Sequence, residues 1–498
     1  MISDLAILIA LLATACGHDP TPPPSDGAPP DGPEVSVIQH HKSRTRDGVY
    51  VDSALTKAAV AGVHLDPSFT ATIAGPTYTQ PLFVDAGVGG KDALVVATER
   101  NEVYALDAAT GAPLWQTPPL GAPVPLADLP CGNIDPLGIT GTPYIDLGAR
   151  TIYLDAMTTP DAGATKVHQI FALSLDDGSV RPGWPVDVAA KVPGFTSAVQ
   201  NQRGAVLVLD GTLYVPYGGH YGDCGDYHGW VVGVKVTDPT QVTAWSTAAR
   251  GGGAWSAGGV SSDGTSVYVT TGNTFDASTW GGGDAVIRLA PGPTFSSAPA
   301  DFYAPANWMD LDSADLDLGA HALIAAPAIA PNGLVAGFGK DGNMYLADQA
   351  NLGGVGHQLS ELHAATGEIT GAVTSFTTPA GTFVAFRIDG GTGVGCPNGT
   401  SGNMAAVQIG AGSPPTLSLA WCARESDQSL PITSMSSVGG ADAIVWNMGA
   451  QLYAYDAETG TELFSGGALE GIRYFNTPII AKGRVFVAAD NQVYAFTP

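Results

Sequence analysis

From about residue 65, short apolar runs alternate with polar turns along this chain. Ala93-Leu94-Val95-Val96-Ala97, Val267-Tyr268-Val269-Thr270, Leu334-Val335-Ala336-Gly337 and Val485-Phe486-Val487-Ala488 are typical runs, each bounded by Gly, Asp, Asn or Pro. This pattern predicts short strands joined by tight turns. Several runs open just after a proline, as in Pro81-Leu82, Pro143-Tyr144 and Pro478-Ile479. Proline suits the first residue of a strand, where its missing N–H is harmless. Beyond the extreme N-terminus, the only hint of helical periodicity is a weak stretch near 53–61.

One phrase recurs. Val103-Tyr104-Ala105-Leu106-Asp107-Ala108-Ala109-Thr110-Gly111 is followed by Trp115, and Leu452-Tyr453-Ala454-Tyr455-Asp456-Ala457-Glu458-Thr459-Gly460 by Phe464. Weaker copies are Ile170-Phe171-Ala172-Leu173 with Asp177-Gly178 and Trp184, and Val493-Tyr494-Ala495-Phe496. Recurrence of one strand-turn unit predicts a repeat architecture. Unit starts fall near Tyr78, Gly138, Gln200, Gly253, Gly319, Ala372, Pro431 and Phe475. Each unit is roughly 40–60 residues, somewhat longer than a generic propeller blade. A small sheet cannot bury both faces alone, and radial stacking in a closed ring solves that problem. The expected fold is therefore all-β, an eight-bladed β-propeller of four-stranded antiparallel blades, with seven blades as the competing count. The last unit ends at Pro498 one strand short, and the segment 64–71 is expected to supply that strand by pairing the two ends of the ring.

The N-terminus changes the picture. Leu5 to Ala15 is apolar but too short to span a bilayer as a helix, and it leads into Ala13-Thr14-Ala15-Cys16. That ending resembles a bacterial lipoprotein cleavage box. Residues 1–16 are expected to be a signal with Cys16 as the lipidated residue. Residues 17–40, rich in Pro and Asp, are expected to be a disordered linker, 41–64 a lead-in and 65–498 the propeller. Export to the outer membrane (periplasmic or surface face), or secretion, puts the remaining cysteines in an oxidising compartment. Four cysteines allow three pairings; Cys131–Cys224 with Cys396–Cys422 is the favoured one.

The formal net charge of -26, without any basic run, excludes a nucleic-acid surface. No Gly-x-Ser-x-Gly elbow, Walker loop or nucleotide fingerprint is present, so hydrolase and nucleotide readings have no support.

The Ala-x-Asp-x-x-Thr-Gly-x-x-x-aromatic phrase resembles the repeat of quinoprotein alcohol dehydrogenases, eight-bladed propellers that bind pyrroloquinoline quinone (PQQ) and Ca²⁺. Non-catalytic propellers carry the phrase too, including the lipoprotein that assists outer-membrane protein assembly. Three local matches extend the resemblance. Gly252-Gly253-Ala254-Trp255 with Val267-Tyr268-Val269-Thr270-Thr271-Gly272-Asn273 is similar to the segment supplying a stacking Trp and a calcium-binding Asn. Asp315-Leu316-Asp317 resembles the element carrying the catalytic base. Lys340-Asp341-Gly342-Asn343 resembles the segment whose basic residue touches the quinone. The resemblance thus implies Trp255, Lys340 and Arg203 on PQQ, Asn273, Asp317 and Asp223 on calcium, and Asp315 or Asp317 as the base.

The family's calcium-binding Glu aligns with Gly222 to Trp230, a loop with no Glu and with Cys224 nearest its place. The family's vicinal cysteine pair is also missing. Each candidate has a plainer role as well. Trp255 suits packing between blades, Asn273 a turn, Asp310 to Asp317 a solvated loop, and Lys340-Asp341-Gly342 a hairpin. The densest collection of His, Tyr and Asp, 217–229, is expected to be a ligand loop with His220, Tyr227 and His228, pinned by a disulfide. The leading expectation is a monomeric, non-catalytic propeller lipoprotein that binds an envelope protein, glycan or small ligand. The alternative is a PQQ- and Ca²⁺-dependent dehydrogenase of alcohols or sugars.

Overall fold

The computed structural model describes residues 35–319, 323–325, 333–397, 399–425, 434–438 and 441–498. Cys16, the signal and most of the expected linker lie outside them, as does the expected unit start at Pro431. The chain closes into a ring of eight four-stranded antiparallel blades, as the repeat predicts. The first strands of the blades are Leu82–Val88, Tyr144–Asp146, Leu207–Leu209, Ser261–Ser262, Leu323–Ala325, Thr374–Thr378, Ser434–Val438 and Ile479–Ala481.

Closure follows the predicted route. His64–Leu65 and Ala71–Thr72 both pair antiparallel with the C-terminal strand Gln492–Thr497, His64 opposite Thr497 and Ala71 opposite Val493. The ends of the ring are thereby locked in one sheet, which leaves no open edge at the seam. The weak helical stretch forms a single turn, Lys57–Val60, capped by Thr56.

The repeat phrase works as a staple between blades. In Asp107 to Gly111, the Asp107 carboxylate accepts from Ala109 N at 2.9 Å, and Gly111 takes φ +79° to close the turn. Asp456 and Gly460 repeat this, Asp456 accepting from Glu458 N at 3.0 Å and Gly460 holding φ +69°. The preceding blade's outer strand lays a Trp on the turn. Trp115 Nε1 donates to Leu175 O at 3.0 Å beside Gly178, and Trp421 Nε1 donates to Ala457 O at 2.9 Å beside Gly460. A left-handed backbone and a close indole both favour glycine there. The core accordingly lies between consecutive blades. Leu82 and Val95 of the first blade meet Ile145 and Leu154 of the second, and Leu213 and Val232 of the third meet Ile170 and Val186 of the second.

One expectation is corrected. The end of the supposed linker and the start of the lead-in plug the central channel: Val37, Gln39, His40, His41 and Arg46 are buried. His41 N donates to Gln80 Oε1 (2.9 Å), and Arg46 Nε and Nη2 donate to Val260 O and Val206 O (both 3.0 Å). Thr374 Oγ1 donates to Asp47 O at 2.7 Å, and Val49–Val51 adds a parallel strand to Ser434–Val438. These buried side chains satisfy backbone groups that the ring leaves facing its own axis. Composition carried the linker reading too far because the proline-rich stretch ends shortly before this plug begins.

Candidate functional site

The loops that precede the first strands, together with loops joining the second and third strands of several blades, converge on one end of the channel and enclose a cavity of about 890 Å³. Trp255, Asp315, Asp317, Lys340, Arg203, His220 and Asp223, all expected site residues, line it.

Trp255 follows the Gly251-Gly252-Gly253 run and is held edge-on by close backbone. A Cβ at Gly218 would stand 2.9 Å from its Cε3, and one at Gly319 2.7 Å from its Nε1. Tyr227, fully buried, packs against the indole at a centroid distance of 5.9 Å. Trp255 is therefore packed between blades and also presents a face to the cavity.

Asp317 is the hub of the polar side. Its Oδ1 accepts from Asn273 N at 2.7 Å, and its Oδ2 pairs with Lys340 Nζ at 2.6 Å. Asp315, mostly exposed, stands 3.3 Å from the same ammonium. Burial works against the Lys340 charge, but Asp317 and Asp315 outweigh it and hold its pKa above the usual lysine range. Asn273 lies behind Asp317, and its Oδ1 is buried without a hydrogen-bond partner. The Asp310 to Asp317 run, expected as a solvated loop, forms the helix Trp308–Ala314 over its first half. Asp312 at its end accepts from Thr274 N and Oγ1, both at 2.7 Å. A helix forms because Trp308 and Leu311 bury one side of it. Lys340-Asp341-Gly342 is the hairpin turn its sequence suggests, with Gly342 at φ +75°.

Arg203 stands over Trp255, its guanidinium carbon 5.7 Å from the ring centroid. Its Nε is buried without a partner, and Nη2 makes only a 3.5 Å contact with Gly219 O. Burial lowers its pKa, with Asp223 and Tyr227 opposing. His220 Nε2 lies 3.2 Å from Ala198 O. Burial, helped by the nearby His168 and Arg203, pushes the His220 pKa down to about 4, so the ring is neutral.

The expected ligand loop is only partly a wall of the cavity. Asp223 accepts from Tyr227 Oη at 2.7 Å, so Tyr227 supports the loop from inside. His228 turns away, with its Nδ1 3.0 Å from Thr247 O. Cys131–Cys224 pins the loop as expected, with Cα atoms 6.1 Å apart, and Cys396–Cys422 closes within the sixth blade at 5.6 Å.

Two buried acids near the site were missed. Asp284 accepts from Leu318 N at 3.0 Å while its Oδ2 has no partner. Burial raises its pKa to about 9, with Asp317 and Asp312 adding to the effect and Leu318 N opposing. Glu99 accepts from Gly138 N at 2.6 Å. Asp284 follows Gly281-Gly282-Gly283, and Glu99 lies in the turn Thr98-Glu99-Arg100-Asn101; both sequences signal an exposed bend.

Calcium takes six to eight oxygen ligands. Here only Asn273 Oδ1 is open beside Asp317, whose carboxylate is already committed to Lys340 and Asn273. Among the described residues no group of three or more His, Cys, Asp or Glu side chains is placed to hold a metal. A calcium ion does not fit this arrangement. A stacked quinone does not fit either. Carbon layers in contact are about 3.5–4.0 Å apart, so a ring between Trp255 and Arg203 needs about 7 Å, more than the 5.7 Å present.

The family model of the outer membrane protein assembly factor BamB matches residues 68–128 and 405–498. The chain is an eight-bladed β-propeller, with PQQ-like repeats in the two matched segments. Solved propellers of similar architecture fall into two groups. Quinohemoprotein alcohol dehydrogenase ADHIIG from Pseudomonas putida HK5 aligns at a TM-score of 0.67 and 15% identity, over 94% of this chain and 81% of its own. A europium-containing methanol dehydrogenase aligns at 0.63 and 14% identity, over 94% and 99%. BamB from Moraxella catarrhalis aligns at 0.50 and 13% identity, over 88% and 98%. No protein of curated function matches the sequence. At such identities the alignments speak for the fold of this propeller and leave its chemistry to its site.

Proposed function

We propose that this protein is a non-catalytic, small-ligand-binding propeller of the bacterial cell envelope, acting as a monomer. One observation carries the reading: Arg203 covers the face of Trp255 at 5.7 Å, where a flat redox cofactor would have to stack. The cavity is of ordinary size for a small molecule, about 890 Å³, and its wall is pinned by a disulfide. Two disulfides mark an exported protein. Lipid attachment at Cys16 and placement at the outer membrane complete the proposal, on the strength of the Ala13-Thr14-Ala15-Cys16 motif.

A second reading, a PQQ-dependent dehydrogenase of alcohols or sugars, is favoured by the convergence of Trp255, Asn273, Asp317 and Lys340 at one end of the channel. It requires Arg203 to leave the Trp255 face and Lys340 to release Asp317. The two readings separate in one assay. The full exported chain is incubated with PQQ and Ca²⁺, and dye-linked oxidation of alcohols and sugars is followed. No turnover and no calcium-dependent PQQ binding are expected. Turnover abolished by Asp317→Asn, with calcium-dependent binding abolished by Trp255→Ala, would overturn the non-catalytic reading.

A further inference from the structure

We infer that the mouth of the cavity takes a small quaternary ammonium compound, its cationic head held by the Glu368 and Asp389 carboxylates and the ring faces of Tyr221 and Tyr474. This rests on the ligand-binding reading above and names the ligand class.

The argument begins with charge. Glu368 lies in the loop that leads into the sixth blade, and Asp389 in the loop that joins the second and third strands of that blade. The two backbones exchange both hydrogen bonds, Glu368 N to Asp389 O at 2.9 Å and Asp389 N to Glu368 O at 2.8 Å. Residues paired in this way carry their side chains on one face, and like charges set directly opposite destabilise the pair. Both residues line the cavity. Asp389 accepts from Tyr474 Oη at 2.7 Å, whereas the half-buried Glu368 carboxyl makes no hydrogen bond or ion pair with the described residues. Burial raises the Glu368 pKa, with Lys340 opposing and Asp389, Asp315 and Asp317 adding to the rise. The cations of the lining are committed elsewhere. Lys340 is tied to Asp317 at 2.6 Å and Asp315 at 3.3 Å, and Arg473 to Asp490 at 2.6 Å. Asp223 and Asp317 act favourably on the Arg203 charge. Unmatched negative charge is thus concentrated at Glu368 and Asp389, and a cation of the ligand relieves it.

The aromatic walls narrow the class. Protein cations already cover two rings of this cavity: Arg473 stands 5.7 Å from the Tyr78 centroid, and Arg203 5.7 Å from that of Trp255. Tyr221 and Tyr474 line the same cavity with no cation of the described residues over either, and are exposed at 64% and 47%. Tyr474 is fixed beside the acid pair by its bond to Asp389 and by an edge-on contact with Phe475 at 6.0 Å. Burial pushes the Tyr474 phenol up, with Asp389, Glu368 and Tyr221 adding to the rise, so these four groups share one neighbourhood. Two uncovered ring faces beside unmatched carboxylates attract a cation. A primary ammonium needs acceptors for three N–H groups, and Asp389 is already engaged by Tyr474. A quaternary ammonium donates no hydrogen bond and is held by charge and ring faces alone.

The test is calorimetric titration of the full exported chain with choline, its uncharged isostere 3,3-dimethylbutan-1-ol and the anion 3,3-dimethylbutanoate, repeated with Glu368→Gln and Tyr221→Leu. Circular dichroism and melting check that each variant folds. Ring faces and carboxylates acting together predict that choline binds the native protein at least about ten-fold more tightly than the isostere, which differs from it only in charge. Each variant is expected to weaken choline about three-fold or more and to leave the isostere within about two-fold. Equal or tighter binding of the isostere or the anion, failure of choline to bind, or an unchanged choline affinity in either folded variant would overturn the inference. The order of the three probes on the native protein decides the matter even if a variant does not fold. None of these titrations uses PQQ, calcium or turnover, so the oxidation assay can fail or succeed independently of them.

Discussion

Glu99 gives the sharpest test of the buried electrostatics around the cavity. It is fully buried, and desolvation raises its pKa from 4.5 to about 8, against the lowering effects of Gly138 N, Thr140 and Arg473. A group whose pKa is raised on folding stabilises the folded state fully below its unfolded value. That contribution is lost as pH climbs through the folded value. The window here runs from pH 4.5 to about 8. At about 1.4 kcal/mol per pH unit the loss totals about 5 kcal/mol. Glu99→Gln keeps an acceptor for Gly138 N and removes the charge. The wild type is therefore expected to lose about 5 kcal/mol relative to this variant between pH 4 and pH 9. A ring of this size unfolds with an entropy near 1 kcal/mol per kelvin, so the relative melting shift is about 5 °C. Melting both proteins across that pH range subtracts every other titrating group. Parallel curves, agreeing within about 1 kcal/mol at all pH values, would refute the reasoning, because an ionised Glu99 would then be solvated in the fold.

Two further predictions address the ring and the polar side of the site. Gly460→Ala places a Cβ 2.6 Å from Trp421 Cε3 at a φ of +69°. It should cost about 2–4 kcal/mol in denaturant unfolding, and a loss within about 0.5 kcal/mol would mean that the turn does not clamp the indole. Lys340→Met leaves the Asp317 carboxylate buried without its cation and should cost about 3–5 kcal/mol. Adding Asp317→Asn to it should restore most of that loss in a double-mutant cycle, and additive losses would show that the pair is not coupled.

The fold was legible because its repeat is local chemistry. An Asp accepting from its own turn, a Thr, a Gly at positive φ and an aromatic on the next strand are all contiguous in sequence, so Asp107 to Trp115 announces a blade without reference to anything distant. Closure was legible for a related reason: a last unit with too few strands needs a partner, and only the N-terminal segment was left to give one. The plug was not. Arg46 reaches Val206 and Val260, and nothing about Arg46 in its own neighbourhood signals partners so far along the chain. Glu99 and Asp284 were hidden the same way, since burial of an acid is a property of the ring and not of the turn that carries it.

The site divides along the same line, and this bears on how the function is read. The residue types that resemble a quinoprotein site do come together: Trp255, Asp317 and Lys340 line one cavity, and Asn273 stands behind them. What those types could not convey is who partners whom. A lysine poised to polarise a ligand and a carboxylate poised to take a proton are, in this geometry, 2.6 Å apart and already satisfied by each other. A tryptophan poised to stack is already overlain by Arg203. Arg203 makes no salt bridge with the described residues and its Nε has no hydrogen-bond partner, although Asp223 and Asp317 act favourably on its charge. Binding energy is gained where a buried group has no partner, not where two partners already meet. The oxidation reading and the non-catalytic reading thus call for different pairings of the same side chains, and Arg203 is the residue on which that difference turns.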